Sequence, residues 1–343
     1  MTGSGGRCRQ WQGVSVSEQP VRLAVHSVED LIGLVPYLLG FHPEESLVVL
    51  MIEGGRVQLT ARVDLVVAAD EGNLDDLLAR LFGRFPAAEG WFLAFTDDED
   101  LAWAVLSGCT DVAGRRSVGQ VLQVGRRSWR ADERDGPVGE ITGEVSVAAT
   151  QATVLGMPAR SSRTDLAAGL VGPPDAELDV LLAEFEARAA ELEHLGRSGR
   201  RRLLRRLLRT PVRCPVADCV RLALLAVRPD GQVAVLRSLA RANADQQVGL
   251  WTQVLRHCLP DYRPTVLGLL GMAAWQTGDG ALQVVCLEEL VRLDPSVPLA
   301  AVLDALNSAV VPPWHWDVIR ASLLEEFALA LTTAGPPASP RGR

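Results

Sequence analysis

From Ser27 onward the apolar positions fall at helical spacing, with Leu31, Val35 and Leu39 on one face. Ser27 is placed to cap that helix, and Gly40 followed by Pro43 to end it. Two apolar runs over 46–53 and 56–66, joined by Gly54 and Gly55, then predict a β-hairpin with a two-residue turn. With Glu53 opposite Arg56, simple alternation puts Ser46, Val48, Leu50 and Ile52 on one face with Val57, Leu59, Ala61 and Val63. Arg62 and Asp64 then fall on the other face, Asp64 lying opposite Glu45 at the open end. A helix over 74–85 follows, with Leu77, Leu78, Leu81 and Phe82 on one side. It leads into a buried strand over 90–95, a second helix over 100–113, and strands over 118–124 and 127–131. Strands alternating with helices indicate an α/β domain with a mixed sheet.

The pattern changes at Gly172-Pro173-Pro174, where a linker is expected, and beyond Asp175 helical periods dominate. They predict helices over 175–195, 199–209, 215–227, 231–243, 246–258, 264–277, 280–293, 297–309 and 315–333. The expected architecture is therefore an α/β N-terminal domain with a mixed sheet over 21–172, followed over 173–334 by an all-α helical bundle or short solenoid-like domain. The Gly/Ser/Gln-rich residues 1–20 and the Pro-rich tail 335–343 are expected to be disordered.

Composition narrows the function classes. The 343 residues are 48% hydrophobic and 22% charged, enough for two cores. No run reaches the roughly 18 to 20 apolar residues of a membrane span, and the polar start is unlike a signal peptide, so a cytoplasmic location without membrane association is expected. The six cysteines are scattered without CxxC pairs and read as reduced thiols. The five histidines offer no ligand pair in register, so neither a metal nor a cofactor is expected. All 34 basic residues are arginine. The lack of lysine excludes a Schiff base, a Walker-type phosphate lysine and a kinase-type lysine. Nor is there a GxSxG, HExxH or GxGxxG motif.

Two regions concentrate chemistry. The corner at 42–46 gathers His42, Glu45 and Ser46 near Arg62 and Asp64, and Asp97 stands at the carboxyl end of the strand over 90–95. His42 there is a candidate acid or base, Arg62 a candidate anion binder, and Glu45 or Asp64 a candidate orienting carboxylate. The bland alternative is that Arg62 bridges Glu45 and Asp64, that Ser46 serves backbone groups, and that Asp97 or Asp98 caps a helix. The second region, 197–209, carries seven arginines around Leu203, Leu204, Leu207 and Leu208, with Arg201, Arg202, Arg205 and Arg206 as candidate anion-binding residues. The preceding helix is strongly acidic, and pairing between the two is favoured over attraction to phosphate.

The segment 35–50, the later Arg62-Val63-Asp64-Leu65 and the distant Ala274-Trp275-Gln276-Thr277-Gly278-Asp279-Gly280-Ala281 resemble the actinobacterial proteins grouped as domain of unknown function 4192. The resemblance implies an uncharacterised protein and brings no activity with it. Arg126-Arg127-Ser128-Trp129-Arg130 is similar to a strand of that family. Where its members often place Cys-Cys-Pro, this chain has Asp132-Glu133-Arg134-Asp135-Gly136-Pro137, which puts a family-wide thiol mechanism in doubt. Residues 160–166 also resemble the family pattern, with Ser162 or Thr164 as a helix cap. The helices on either side of Gly278 resemble one tetratricopeptide-like hairpin.

The reading that follows is an interaction or regulatory module, with a protein partner on the helical domain and a small-ligand site near His42, Glu45, Arg62, Asp64 and Asp97. A hydrolase-type enzyme using that corner is one alternative. A nucleic-acid-associated factor using residues 200–209 is the other, favoured if the arginine face proves uncovered.

Overall fold

The computed structural model describes residues 25–114, 116–141, 146–154, 159–209 and 213–333. The expectations for residues 1–20 and 335–343 lie outside them, as does Cys8.

The N-terminal half is built on a six-stranded mixed sheet. Helix α1 (Val28–Leu39) is capped by the Ser27 side chain, which accepts from the Asp30 N–H, and is ended by Gly40 in the left-handed region at φ 79°. Strands β1 (Ser46–Glu53) and β2 (Arg56–Asp64) form the expected hairpin, with Gly54 and Gly55 both at positive φ. Two helices come next, the short α2 (Leu65–Ala68) and α3 (Glu71–Arg84), and then β3 (Glu89–Phe95). Helix α4 (Glu99–Ala113) leads to β4 (Val118–Val124), β5 (Ser128–Ala131) and β6 (Val138–Glu140). Sequence patterning missed β6, which is only three residues long, and extended β2 into what is the first turn of α2. It also missed the short helix α5 (Val147–Val154), whereas α6 (Arg163–Ala168) begins where a helix cap at Ser162 or Thr164 was expected. Ser162 is the cap of α6, accepting from the Asp165 N–H.

The strand order is β2-β1-β3-β4-β5-β6, and β3–β4 is the parallel pair, joined through α4. β1 is thus an interior strand, and its residues from Leu47 to Met51 are fully buried on both faces. Leu47, Val49, Met51, Phe92 and Ala94 pack against α3 and α4, while Val48, Leu50, Leu93 and Leu122 pack against α1. Each such side chain contributes about 1.5–3 kcal/mol of burial.

The hairpin register corrects the sequence reading. Glu53 does face Arg56 and Ile52 faces Val57, but Met51 faces Leu59, leaving Gln58 as a bulge. One inserted residue reverses the facing of all β2 beyond it. Leu59, Ala61 and Val63 now join Leu47, Val49 and Met51, whereas Thr60, Arg62 and Asp64 share a face with Ser46.

No strand occurs after β6 among the described residues, and the nine helices expected there are present. They are α7 (Leu178–Glu193), α8 (Arg197–Leu207), α9 (Val216–Ala226), α10 (Pro229–Ser238), α11 (Ala244–Arg256), α12 (Arg263–Thr277), α13 (Gly280–Leu293), α14 (Pro298–Ser308) and α15 (Trp316–Thr333). Helix α12 is the axis of this half, with every residue from Pro264 to Gln276 buried. Gly268 and Gly271 let α14 approach it, bringing Leu299 and Leu303 close to its backbone. Leu166 and Leu170 also join this core. Contacts between the two halves include Ala281 of α13, which packs against the core under α1, Val310, which packs against the core on the other face of the sheet, Arg80 of α3, which donates to the Ser308 carbonyl at 3.5 Å, and Arg84 of α3, which reaches His315 at 2.9 Å. No described helix is long and apolar enough to cross a membrane.

Candidate functional site

The corner between α1 and β1 is anchored from both sides. Phe41 is buried, His42 donates its backbone N–H to the Arg160 carbonyl at 3.0 Å, and Arg160 donates to the Gly40 carbonyl at 2.8 Å. Glu45 sits in the left-handed region at φ 43°, a conformation that costs a side-chain-bearing residue roughly 1 kcal/mol or more. That twist lets its carbonyl accept from the Leu65 N–H at 2.9 Å and its carboxylate accept from the Thr96 hydroxyl at 2.8 Å. Ser46 is fully buried. Its hydroxyl donates to the Glu44 carbonyl at 2.5 Å and accepts from Arg62 Nε at 2.8 Å. The same guanidinium holds Asp64 at 2.6 Å.

Burial lowers the Arg62 pKa, Asp64 opposes that shift, and the nearby Arg163 adds to it. Arg163 is itself held by Glu288 of α13 at 2.6 Å. Asp279, which caps α13 by accepting from the Leu282 N–H at 2.9 Å, has its carboxyl pKa raised by burial.

The structure therefore brings Arg62, Asp64 and Ser46 together, with Glu45 beside them but turned to Thr96. Arg62 bridges Ser46 and Asp64, not Glu45 and Asp64. The bulge that a Ser-His-Asp relay requires is present, yet the Ser46 hydroxyl faces a guanidinium, which cannot take its proton. His42 is exposed and its ring makes no hydrogen bond within the described residues. Asp97 lies just beyond Thr96, where it accepts from the Arg126 N–H at 2.9 Å and pairs with its side chain at 3.2 Å. Asp98 is the helix cap, accepting from the Leu101 N–H at 3.0 Å.

Sequence reasoning overlooked a groove of about 440 Å³ between α4 and the turn after β5. Trp103, Ser107, Asp132 and Glu133 line it, and the Arg134–Asp100 ion pair lies at its edge. Its signal in the sequence is the polar stretch 132–137 directly after an apolar strand. Among the described residues no three metal-ligating side chains converge.

The arginine helix departs from expectation. The expected pairing of α7 with α8 does not occur among the described residues, because α7 packs against α9: Glu184 and Glu191 hold Arg188 at 3.1 and 2.9 Å, and Glu191 also holds Arg221 at 2.8 Å. Those bonds from Arg221 lower the Glu191 pKa and raise that of Arg221. On α8, Leu204 and Leu207 are buried while Arg201, Arg202, Arg205 and Arg206 are exposed, and none of the four is in an ion pair with a described residue. Arg197 makes one long contact, 3.7 Å to Asp230. Between Leu195 and Ala217 the chain carries eight arginines and no acid.

No curated protein and no solved structure matches this chain. A family model does, over residues 29–314, a span that takes in the corner, the sheet, the arginine helix and α12. The chain belongs to the family described as domain of unknown function DUF4192.

Proposed function

We propose that this chain is a nucleic-acid-associated factor that grips the phosphate backbone with α8. The observation carrying this reading is that Arg201, Arg202, Arg205 and Arg206 stand exposed and in no ion pair with a described residue, while Glu184 and Glu191 of α7 are engaged elsewhere. Two energetic features support it. Arginines four apart, 201 with 205 and 202 with 206, repel by a few tenths of a kcal/mol per pair. Arginines in the first turn, Arg197 and Arg200, oppose the helix dipole, and that turn holds no acid. Both costs are recovered when a polyanion lies along the helix. With no aromatic residue in the helix to stack a base, the contact is to phosphates and independent of sequence.

The test is fluorescence polarisation with duplex DNA and with RNA at ~50 and ~200 mM salt. Four neutralised phosphates give a fall in affinity of about 10²-fold between those salts. Changing Arg201, Arg202, Arg205 and Arg206 together to glutamine removes the binding. No binding at the lower salt, or binding that survives the glutamine variant, overturns the reading. Preference for anionic lipid vesicles over both nucleic acids overturns it in favour of a membrane surface.

A further inference from the structure

Of the five described cysteines, three stand alone in the cores. Burial pushes the Cys109 thiol up to about 12, and raises Cys258 and Cys286 as well. Cys214 and Cys219 are different. They flank the start of α9, and the Cys219 thiol lies over the Cys214 residue, donating to its carbonyl oxygen at 3.6 Å. Backbone bonds hold the approach: Cys219 donates its N–H to the Pro215 carbonyl at 2.9 Å, and Cys214 donates its own to Gln253 Oε1 at 2.9 Å.

The two sulfurs are chemically unequal. Cys214 is 9% exposed and Cys219 is fully buried, so an oxidant from solvent meets Cys214 first. The neighbouring Cys219 thiol lowers the Cys214 pKa, and the proximity of Cys214 together with burial raises that of Cys219. Asp218 opposes ionisation at both, and its carboxylate is drawn to Arg221 at 2.7 Å. A favoured attacking thiol with a second thiol beside it is the arrangement in which oxidation stops at a disulfide.

We propose that Cys214 and Cys219 are a reversible oxidation site for hydroperoxides. The Cys214 thiolate attacks the terminal peroxide oxygen, the O–O bond breaks, and the alkoxide or hydroxide leaves and takes up a proton. Cys214 is now a sulfenic acid. The Cys219 sulfur then attacks the Cys214 sulfur, the S–O bond breaks, and the sulfenic oxygen leaves as water with the Cys219 proton. In sum, two thiols and one hydrogen peroxide give one disulfide and two waters. The bond staples the residues that lead into α9 to its first turn, and a thiol reductant reverses it by exchange.

The site has a convenient readout, because cleavage after Arg213 and Arg221 releases both cysteines in one peptide, residues 214–221. The full chain carrying Cys8→Ser is treated with graded hydrogen peroxide and mapped by mass spectrometry without reduction. That peptide is expected to lose two hydrogens at least about tenfold faster than Cys109, Cys258 or Cys286 reacts. In Cys219→Ser, dimedone labels Cys214; in Cys214→Ser, Cys219 stays unlabelled. Phenylarsine oxide, which bridges close thiol pairs, provides a second measurement on the protein with both thiols intact, and one equivalent is expected to be retained on residues 214–221. Oxidation spread evenly over the cysteines, labelling of Cys219 in place of Cys214, or failure to retain the arsenical overturns the proposal.

Discussion

Arg62 reaches across the β1–β2 pair to donate its Nε–H to the Ser46 hydroxyl at 2.8 Å, and the bulge at Gln58 is what puts the two on one face. The contact gives the Ser46 hydroxyl a structural part. A buried hydroxyl that accepts from a guanidinium and donates to a carbonyl is a structural link between strands, tying the hairpin's open end to the turn that leads in from α1.

Ser46→Ala is therefore expected to destabilise the protein by about 1–3 kcal/mol, since it leaves the Arg62 Nε–H and the Glu44 carbonyl unpartnered. In a double-mutant cycle with Arg62→Gln, measured by urea unfolding, the two changes should couple by roughly 0.5–3 kcal/mol. Additive losses would show that the contact contributes nothing of its own.

Gly268→Ala tests the close passage of α14 over α12. A Cβ there would meet Leu299 Cβ at 2.7 Å, too near the backbone for a side-chain rotation to relieve. The expected cost is about 1–3 kcal/mol in thermal or urea unfolding. A neutral substitution would mean that α14 is free to slide.

Gln247 links α8 to the core, donating to the Leu208 carbonyl at 2.9 Å while accepting from Trp251 Nε1 at 3.2 Å. Gln247→Leu removes both bonds and is expected to cost about 2 kcal/mol or more. Amide exchange should rise first in the last turn of α8. Faster exchange in α12 ahead of α8 would contradict this.

Two carboxyls pull stability in opposite directions with pH. Asp279 has a raised folded pKa, so the folded state holds its proton more firmly, and its contribution weakens as pH rises from the ordinary carboxylate value through the folded one. Glu191 has a lowered folded pKa, because Arg221 donates to it. Its contribution is complete above the ordinary value and disappears as pH falls through the folded one. Asp279→Asn, which keeps a capping oxygen, should gain stability relative to the parent at neutral pH and lose that advantage in acid. Glu191→Gln should show the reverse trend. Unfolding midpoints between pH ~3 and ~7 check both signs.

Much of the fold was legible because it rests on periodicity and punctuation. Ser27 and Gly40 bounded α1, the Gly54-Gly55 pair made the hairpin turn, and the nine late helices followed their apolar stripes. What alternation alone cannot reveal is an extra residue, and Gln58 is indistinguishable in the sequence from its neighbours in the strand. That single position moved Arg62 and Asp64 to the face of Ser46. The partner of α8 was hidden for a different reason. Complementary charge on adjacent helices states that pairing is affordable, whereas packing of apolar faces decides where helices go. Leu181, Phe185 and Leu192 carried α7 into the core beside α9, and Glu191 met Arg221 there. The thiol pair was visible only as a five-residue spacing, which has no meaning until a helix start brings the two ends together.

Helix α12 is apolar on every side, so no arrangement of it alone in water is comfortable. On the ribosome its buried run from Pro264 to Gln276 emerges before the α13 and α14 residues that cover it, ending at Leu306. At roughly 5–20 residues per second that delay is about 1.5–6 s. During that interval the nascent chain displays the apolar side of α12 that α9, α10 and α11 do not cover, an obvious substrate for holding chaperones. The helical half thus couples its yield in the cell to the speed of its own translation, and synonymous slow codons placed between residues 278 and 306 would be expected to lower the soluble fraction without altering one side chain.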